Sequence, residues 1–271
     1  MSPRGVSRRA PYNRAVQQSR AKSVYLERLT WPEAEKLLTP QSVVLIPLGA
    51  AAKEHGPHLP LDNDRTLAEY LARRVAETAE VIVAPIVAYH YYPAFIEYPG
   101  STTLRLETAR DVVVDIVSSL AAFGPRRFYV LNTGVSTVAA LEPAARELAA
   151  RGISLRYTDI AAAGRQAAEA IREQEGGTHA DEIETSMMLY IAPRSVDMRK
   201  AVRDFHPGRG RLTRSRASQG VFSPSGVYGD ATLATAEKGK VLVEAMVRDI
   251  LSEIESLRAA ALPPAQPAPE R

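Results

Sequence analysis

Two stretches of this chain concentrate residues that ligate metals or move protons. The first is "GAAAKEHGPHLPLDND", Gly49–Asp64, which holds two of the five histidines, His55 and His58, beside Glu54, Asp62 and Asp64. Imidazole and carboxylate groups are the N and O ligands that divalent ions such as Zn, Mn or Fe accept. Gly56, Pro57 and Pro60 exclude a helix there and make the segment a fixed loop. From spacing alone, a metal loop and a polar loop rich in His and Asp both remain open. The second stretch is "THADEIETS", Thr178–Ser186, with His179, Asp181, Glu182 and Glu184. One reading makes Thr178 a helix N-cap with Asp181 completing a capping box three residues on. The other points His179 and Glu184 into a cleft as base and ligand. The chain has no cysteine, which removes disulfides, thiolate zinc sites and a Cys nucleophile.

The elements that must position these groups alternate. "SVVLIPLG" (Ser42–Gly49), "EVIVAPIV" (Glu80–Val87), "RRFYVLNTG" (Arg126–Gly134) and "ISLRYTDI" (Ile153–Ile160) are short apolar runs of buried-strand type. Between and after them the spacing predicts helices over 65–79, 108–124, 136–152, 182–193 and about 234–258. Pro143 implies a kink or a late start in the third of these. Strand–helix alternation predicts an α/β fold, a three-layer α/β/α sandwich with a mostly parallel sheet. Ligands in such sheets bind beyond the carboxyl ends of the strands. "GAAAKEHG" and "NTGVST" (Asn132–Thr137) both follow a strand, so both fall on that edge.

At 271 residues the chain suits one large domain. Residues 1–22 read as a disordered basic arm, 23–258 as a single domain and 259–271 as a disordered Pro/Ala-rich tail. The net charge of +3 comes from the arm. Removing its six basic residues leaves 28 basic against 31 acidic, so no nucleic-acid partner is expected. "SRRAPYN" (Ser7–Asn13) lacks the apolar run an export signal needs, and no apolar run reaches the ~18 residues of a membrane helix. A cytoplasmic protein with no membrane partner is the expectation.

"PLGAAAKEHGPHLPLDND" resembles the signature of the creatininase (creatinine amidohydrolase) family, Pro-x-Gly-Ser-x-Glu-Gln-His-Gly-Pro-His-Leu-Pro-Leu-x-x-Asp. "YPGSTTLRLET" (Tyr98–Thr108), "HADEIETSMML" and "GVYGDATLATAEKG" (Gly226–Gly239) are similar to three further motifs of that family, in the same order. The resemblance implies an α/β/α sandwich, often a homo-oligomer and possibly a hexamer. It also implies a divalent metal centre, frequently binuclear with Zn or Mn. The activities implied are hydrolyses of C–N bonds in small molecules or a peptide, with ring opening of an oxidised cyclitol in one relative.

Two departures stand out. Lys53 holds the place of the family's Glu two residues before the first His, with one residue inserted after Gly49. "NTGVST" replaces a His-bearing loop, so that Gly134 stands where a metal-binding His would be. The expected metal ligands are therefore His55, Asp64, Glu54 and Glu184. His179, Glu182 and Lys53 are the expected catalytic groups. His58, Asn132, Ser136 and Thr137 are placed around substrate. The expected function is a metal-dependent hydrolase of an amide or cyclic amide in a small polar molecule. The alternative is a metal-free or metal-poor pseudoenzyme of the same fold that binds a metabolite, or a ring-opening hydrolase of an oxidised sugar or cyclitol. His90, in "AYHYYPAF", reads as packing, and the arginines of 209–216 as a solvated loop or an anion clamp.

Overall fold

The computed structural model describes residues 23–208 and 210–265; the basic arm and the last six residues of the tail lie outside it. In chain order the elements are β1 (Val24–Tyr25), α1 (Trp31–Leu37), β2 (Val43–Leu48), α2 (Asn63–Ala76), β3 (Ile82–Val83), α3 (Leu106–Ala121), β4 (Arg127–Asn132), α4 (Val138–Ala149), β5 (Ser154–Tyr157), α5 (Arg165–Ile171) and α6 (Glu182–Ile191). Four two-residue strands follow, β6 (Arg203–Asp204), β7 (Leu212–Thr213), β8 (Val221–Phe222) and β9 (Gly229–Asp230), and then α7 (Ala236–Ala259).

Strands β1 to β5 form one sheet in the order β1-β3-β2-β4-β5, and every pairing is parallel. All six residues of β2 are buried, as expected of a central strand covered on both faces. Alternate side chains go to opposite layers. Val43 and Leu45 join Tyr129 and Leu131 against α2, α6 and α7. Val44, Ile46 and Leu48 join Phe128 and Val130 against α3 and α4. This is the expected α/β/α sandwich.

The boundaries differ where local chemistry intervenes. β3 is shorter than its apolar run, because Pro85 has no N–H to offer the ladder. Val87 returns only as an isolated bridge to Leu48. α4 starts at Val138 and runs through Pro143. α1 was not foreseen, although Thr30 and Glu33 form a full capping box with Pro32 in its first turn. α6 is capped by Asp181, not Thr178: its Oδ1 accepts the N–H groups of Ile183 and Glu184. Among the described residues no helix is long and apolar enough to cross a membrane.

Candidate metal centre

The site forms where the β2–α2 loop, the β4–α4 loop and the start of α6 meet beyond the strand ends. Backbone bonds fix the first loop: Ala51 N–H donates to Ala88 O (3.0 Å), Lys53 N–H to Leu61 O (3.0 Å) and Arg65 N–H to Ala50 O (3.1 Å). The "YPGSTT" run braces it, since Ser101 Oγ accepts from Glu54 N–H (2.9 Å). Asp64 is the second residue of α2, in the first turn where a helix favours negative charge.

Six charged or ionisable side chains converge there. His55 directs Nδ1 at the Lys53 carbonyl (2.9 Å) and Nε2 at Asp64 Oδ1 (2.8 Å). The other Asp64 oxygen lies 2.6 Å from Lys53 Nζ. His179 Nε2 faces Glu54 Oε1 (2.8 Å) and the Glu54 carbonyl (3.0 Å), and its Nδ1 lies 3.5 Å from Glu184 Oε2. The His55 and His179 rings are 4.9 Å apart, and Phe95 packs on His179 at 4.3 Å. All but Glu184 are buried.

Burial disfavours the charges of Lys53, Asp64, Glu54 and His179, and the attraction of their neighbours outweighs it. Lys53 is held above its ordinary range against burial by Asp64, Glu184 and Glu54. Asp64 is held well below the usual carboxylate range, burial being overcome by Lys53 and His55. Glu54 is lowered and His179 raised, each by the other against the cost of burial.

The donor set fits a divalent ion. One ligand atom each from His55, His179 and Glu184 can be chosen so that all lie within 4.8 Å of one another. His55 Nδ1 lies within donating distance of the Lys53 carbonyl, which leaves Nε2, beside Asp64 Oδ1, as the nitrogen available to an ion. Glu54 sits behind this set and orients His179, the usual role of a carboxylate behind a metal-binding histidine. A Cβ on Gly226 would come 2.1 Å from Glu54 Oε2, so only glycine leaves room for that carboxylate.

Several expected site residues are placed elsewhere. Glu182 is fully buried outside the pocket. It accepts the N–H groups of Glu173 and Gln174 and the Lys238 ammonium (2.6 Å), so it anchors α6 instead of facing substrate. Asn132 and Thr137 are spent on their own loop. Asn132 Nδ2 donates to Gly134 O and Thr158 O, and Asn132 Oδ1 accepts from Gly134 N–H and Thr137 Oγ1. His58 supports α6 through Thr185 Oγ1 (2.8 Å), and burial lowers it to about 4. Ser136 does line the pocket, with Lys53, His179 and Glu184.

Tyr92 and Phe95 were missed as site residues. They form a wall of the same pocket, which encloses about 230 Å³. The Tyr92 hydroxyl is buried and finds no hydrogen-bond partner among the described residues. Their signal was position: the aromatic run follows β3, on the sheet edge that carries the other two loops. Residues Gly208, Gly210, Leu212 and Val221 form the roof. No anion clamp is formed by Arg211, which turns to Glu97 (3.5 Å), or by Arg216, which stacks on Phe222 (4.1 Å).

Residues 27–254 match the family model described as creatininase, creatinine amidohydrolase. The chain belongs to the creatininase family. A mycofactocin precursor peptide peptidase of Mycobacterium ulcerans (strain Agy99) is 31% identical, over 83% of this chain and 85% of its own length. A creatinine amidohydrolase of Pseudomonas putida is 29% identical, over 86% and 97%. A 3-dehydro-scyllo-inosose hydrolase of Thermotoga maritima (strain ATCC 43589 / DSM 3109 / JCM 10099 / NBRC 100826 / MSB8) is 30% identical, over 91% and 89%. A crystal structure of creatinine amidohydrolase superposes with a TM-score of 0.74 at 26% identity, covering 88% of this chain and 99% of that one. Two further creatininase structures, with TM-scores of 0.73 and 0.72, are described as the Mn form and as a mutant of Zn-Zn type. The names of these relatives thus differ in substrate: a precursor peptide, creatinine and 3-dehydro-scyllo-inosose.

Proposed function

We propose that this chain is a metal-dependent hydrolase that cleaves a C–N bond, of an amide or cyclic amide, in a small polar substrate. The observation that carries this reading is that ligand atoms of His55, His179 and Glu184 lie within 4.8 Å of one another, with Asp64 beside His55 and with His179 and Glu184 on the wall of the adjoining pocket. His55, Asp64, His179 and Glu184 would hold the ion, Zn, Mn or Fe. When bound, such an ion lowers the pKa of a coordinated water towards neutrality and polarises a carbonyl.

The chain's own groups then have defined tasks. Glu54 holds the His179 ring through Nε2 and leaves Nδ1 facing the pocket. Glu184, the most exposed of the acids, would hold the ion through one oxygen and keep the other to take a proton from the attacking water and return it to the leaving nitrogen. Lys53 places a fixed positive charge over Phe95 (4.8 Å), on the pocket wall. The Ser136 hydroxyl and the unpartnered Tyr92 hydroxyl offer hydrogen bonds to a polar substrate. A cavity of about 230 Å³ suits a small molecule or the end of a larger one.

A second reading rests on the Lys53–Asp64 ion pair, which already neutralises one of the expected ligands. In that reading the chain is a metal-poor binder of a metabolite. Elemental analysis of the gently purified chain, followed by assay of the Mn- and Zn-loaded protein on a panel of amides, cyclic amides and short peptides, separates the two. Stoichiometric metal and metal-dependent release of an amine support the hydrolase. A metal-free protein that added Mn and Zn do not activate would remove it.

A further inference from the structure

We infer that the Lys53 ammonium is a built-in cation occupying the place a second metal ion would need, so that the centre takes one divalent ion per chain. This rests on the hydrolase reading above. The Lys53 side chain is only 5% exposed, and its Nζ lies 2.6 Å from Asp64 Oδ2. Asp64 therefore turns one oxygen to the His55 side and the other to an ammonium. Asp64 Oδ2 makes this ion pair and no other polar contact among the described residues, so a second ion bridging through it would have to displace the ammonium or sit against its charge.

The opposite wall supplies no ligand either. Gly134 has no side chain, and a Cβ there would meet Thr137 Cγ2 at 2.9 Å and Tyr92 Cε1 at 3.3 Å. Tyr92 and Thr137 thus fill the space a ligand from that loop would use. Charge agrees with the geometry. Lys53 is surrounded by Asp64, Glu184 and Glu54. With His55 and His179 neutral, as metal ligation requires, three carboxylates against one ammonium leave two negative charges, which one divalent ion neutralises and two would overcompensate. Lys53 lies on the pocket wall, with Tyr92 at 5.9 Å and Phe95 at 4.8 Å beneath the ammonium. From there it can attract the oxygen of a substrate carbonyl as negative charge develops on it.

The test is a titration of the full-length apo chain with Mn²⁺, read by calorimetry and by electron paramagnetic resonance. The expected result is one equivalent and an uncoupled six-line spectrum. Two equivalents, or an exchange-coupled signal, would overturn this inference and leave the hydrolase reading standing. No binding of Mn²⁺, nor of Zn²⁺ or Fe²⁺ in parallel calorimetric titrations, would defeat both. Lys53→Met removes the competing charge, and its Mn²⁺ affinity should rise at least tenfold; unchanged or weaker binding in a folded variant goes against the inference. Lys53→Arg keeps the charge, and it should bind one ion with an affinity within about threefold of the parent. Two ions in Lys53→Arg would also count against it.

Discussion

Glu54 and His179, 125 positions apart in the chain, are joined by a 2.8 Å contact between Glu54 Oε1 and His179 Nε2, both side chains buried. The contact ties the β2–α2 loop to the start of α6. It decides which nitrogen of His179 faces the pocket. Both Glu54 oxygens are thus engaged within the protein, the second accepting the Gly56 N–H at 2.8 Å.

Glu54→Ala should therefore weaken metal binding without abolishing it. Loss of an orienting carboxylate behind a metal-bound histidine costs about 10- to 100-fold in affinity. Mn²⁺ titration should show unchanged stoichiometry and a weaker Kd. His55→Ala should instead lose the ion altogether. If both variants lose it, Glu54 is a ligand after all.

Glu182→Ala should destabilise the protein, because Glu182 receives Lys238 and two backbone N–H groups in full burial. Removing one partner of a buried ion pair costs about 3–5 kcal/mol. For a chain of this size each kcal/mol shifts Tm by roughly 2–4 °C. Thermal unfolding followed by circular dichroism should show a fall of about 10 °C. An unshifted Tm with lost turnover would instead return Glu182 to the catalytic groups.

The sandwich was legible because β2, β4 and their neighbours are unbroken apolar runs and each is followed by a helical period. The site was legible as far as the gathering of His55, Asp64, His179 and Glu184 at the strand edge, residue types that can ligate a metal. What the sequence could not show is where a side chain spends its hydrogen bonds. Glu182 and Glu184 lie two apart on one helix, yet one faces Lys238 and the other the pocket. Asn132 and Thr137 look free in "NTGVST" but satisfy each other. Lys53 and Asp64 are eleven apart, and only the folded loop brings them together.

Ala180 stands between His179 and the helix cap Asp181 with φ 47°, in the left-handed region. That conformation costs a residue with a Cβ about 1–2 kcal/mol. It lets the Ala180 N–H reach Glu184 Oε2 (2.6 Å), so the backbone there holds a pocket acid. Ala180→Gly relieves the strain but loses the methyl's packing against Leu59, Met188 and Val227 and makes the unfolded chain freer. The expected change in stability by denaturant unfolding is within about 1 kcal/mol. Ala180→Val, β-branched in the same conformation, should lose about 3 kcal/mol or more by strain and overpacking together. Equal stability of all three would show that the left-handed turn is not retained in solution.

His90 supplies a pH test remote from the metal ligands. It is fully buried, neither ring nitrogen has a partner among the described residues, and burial lowers it to about 4. An unfolded histidine titrates near 6.5. Between those values the unfolded chain takes up a proton that the folded chain refuses, so stability falls as pH drops from about 6.5 to 4. At about 1.4 kcal/mol per pKa unit the full effect is about 3 kcal/mol. His58 acts in the same direction, whereas Asp181, pushed up to about 6 by burial and Glu184, opposes it. The parent must therefore be compared with a variant that changes His90 alone. His90→Leu should gain stability relative to the parent as pH falls from 7 to 4.5, measured by urea unfolding at each pH. A constant difference across that range would mean that His90 is already charged, or solvated, in the folded protein.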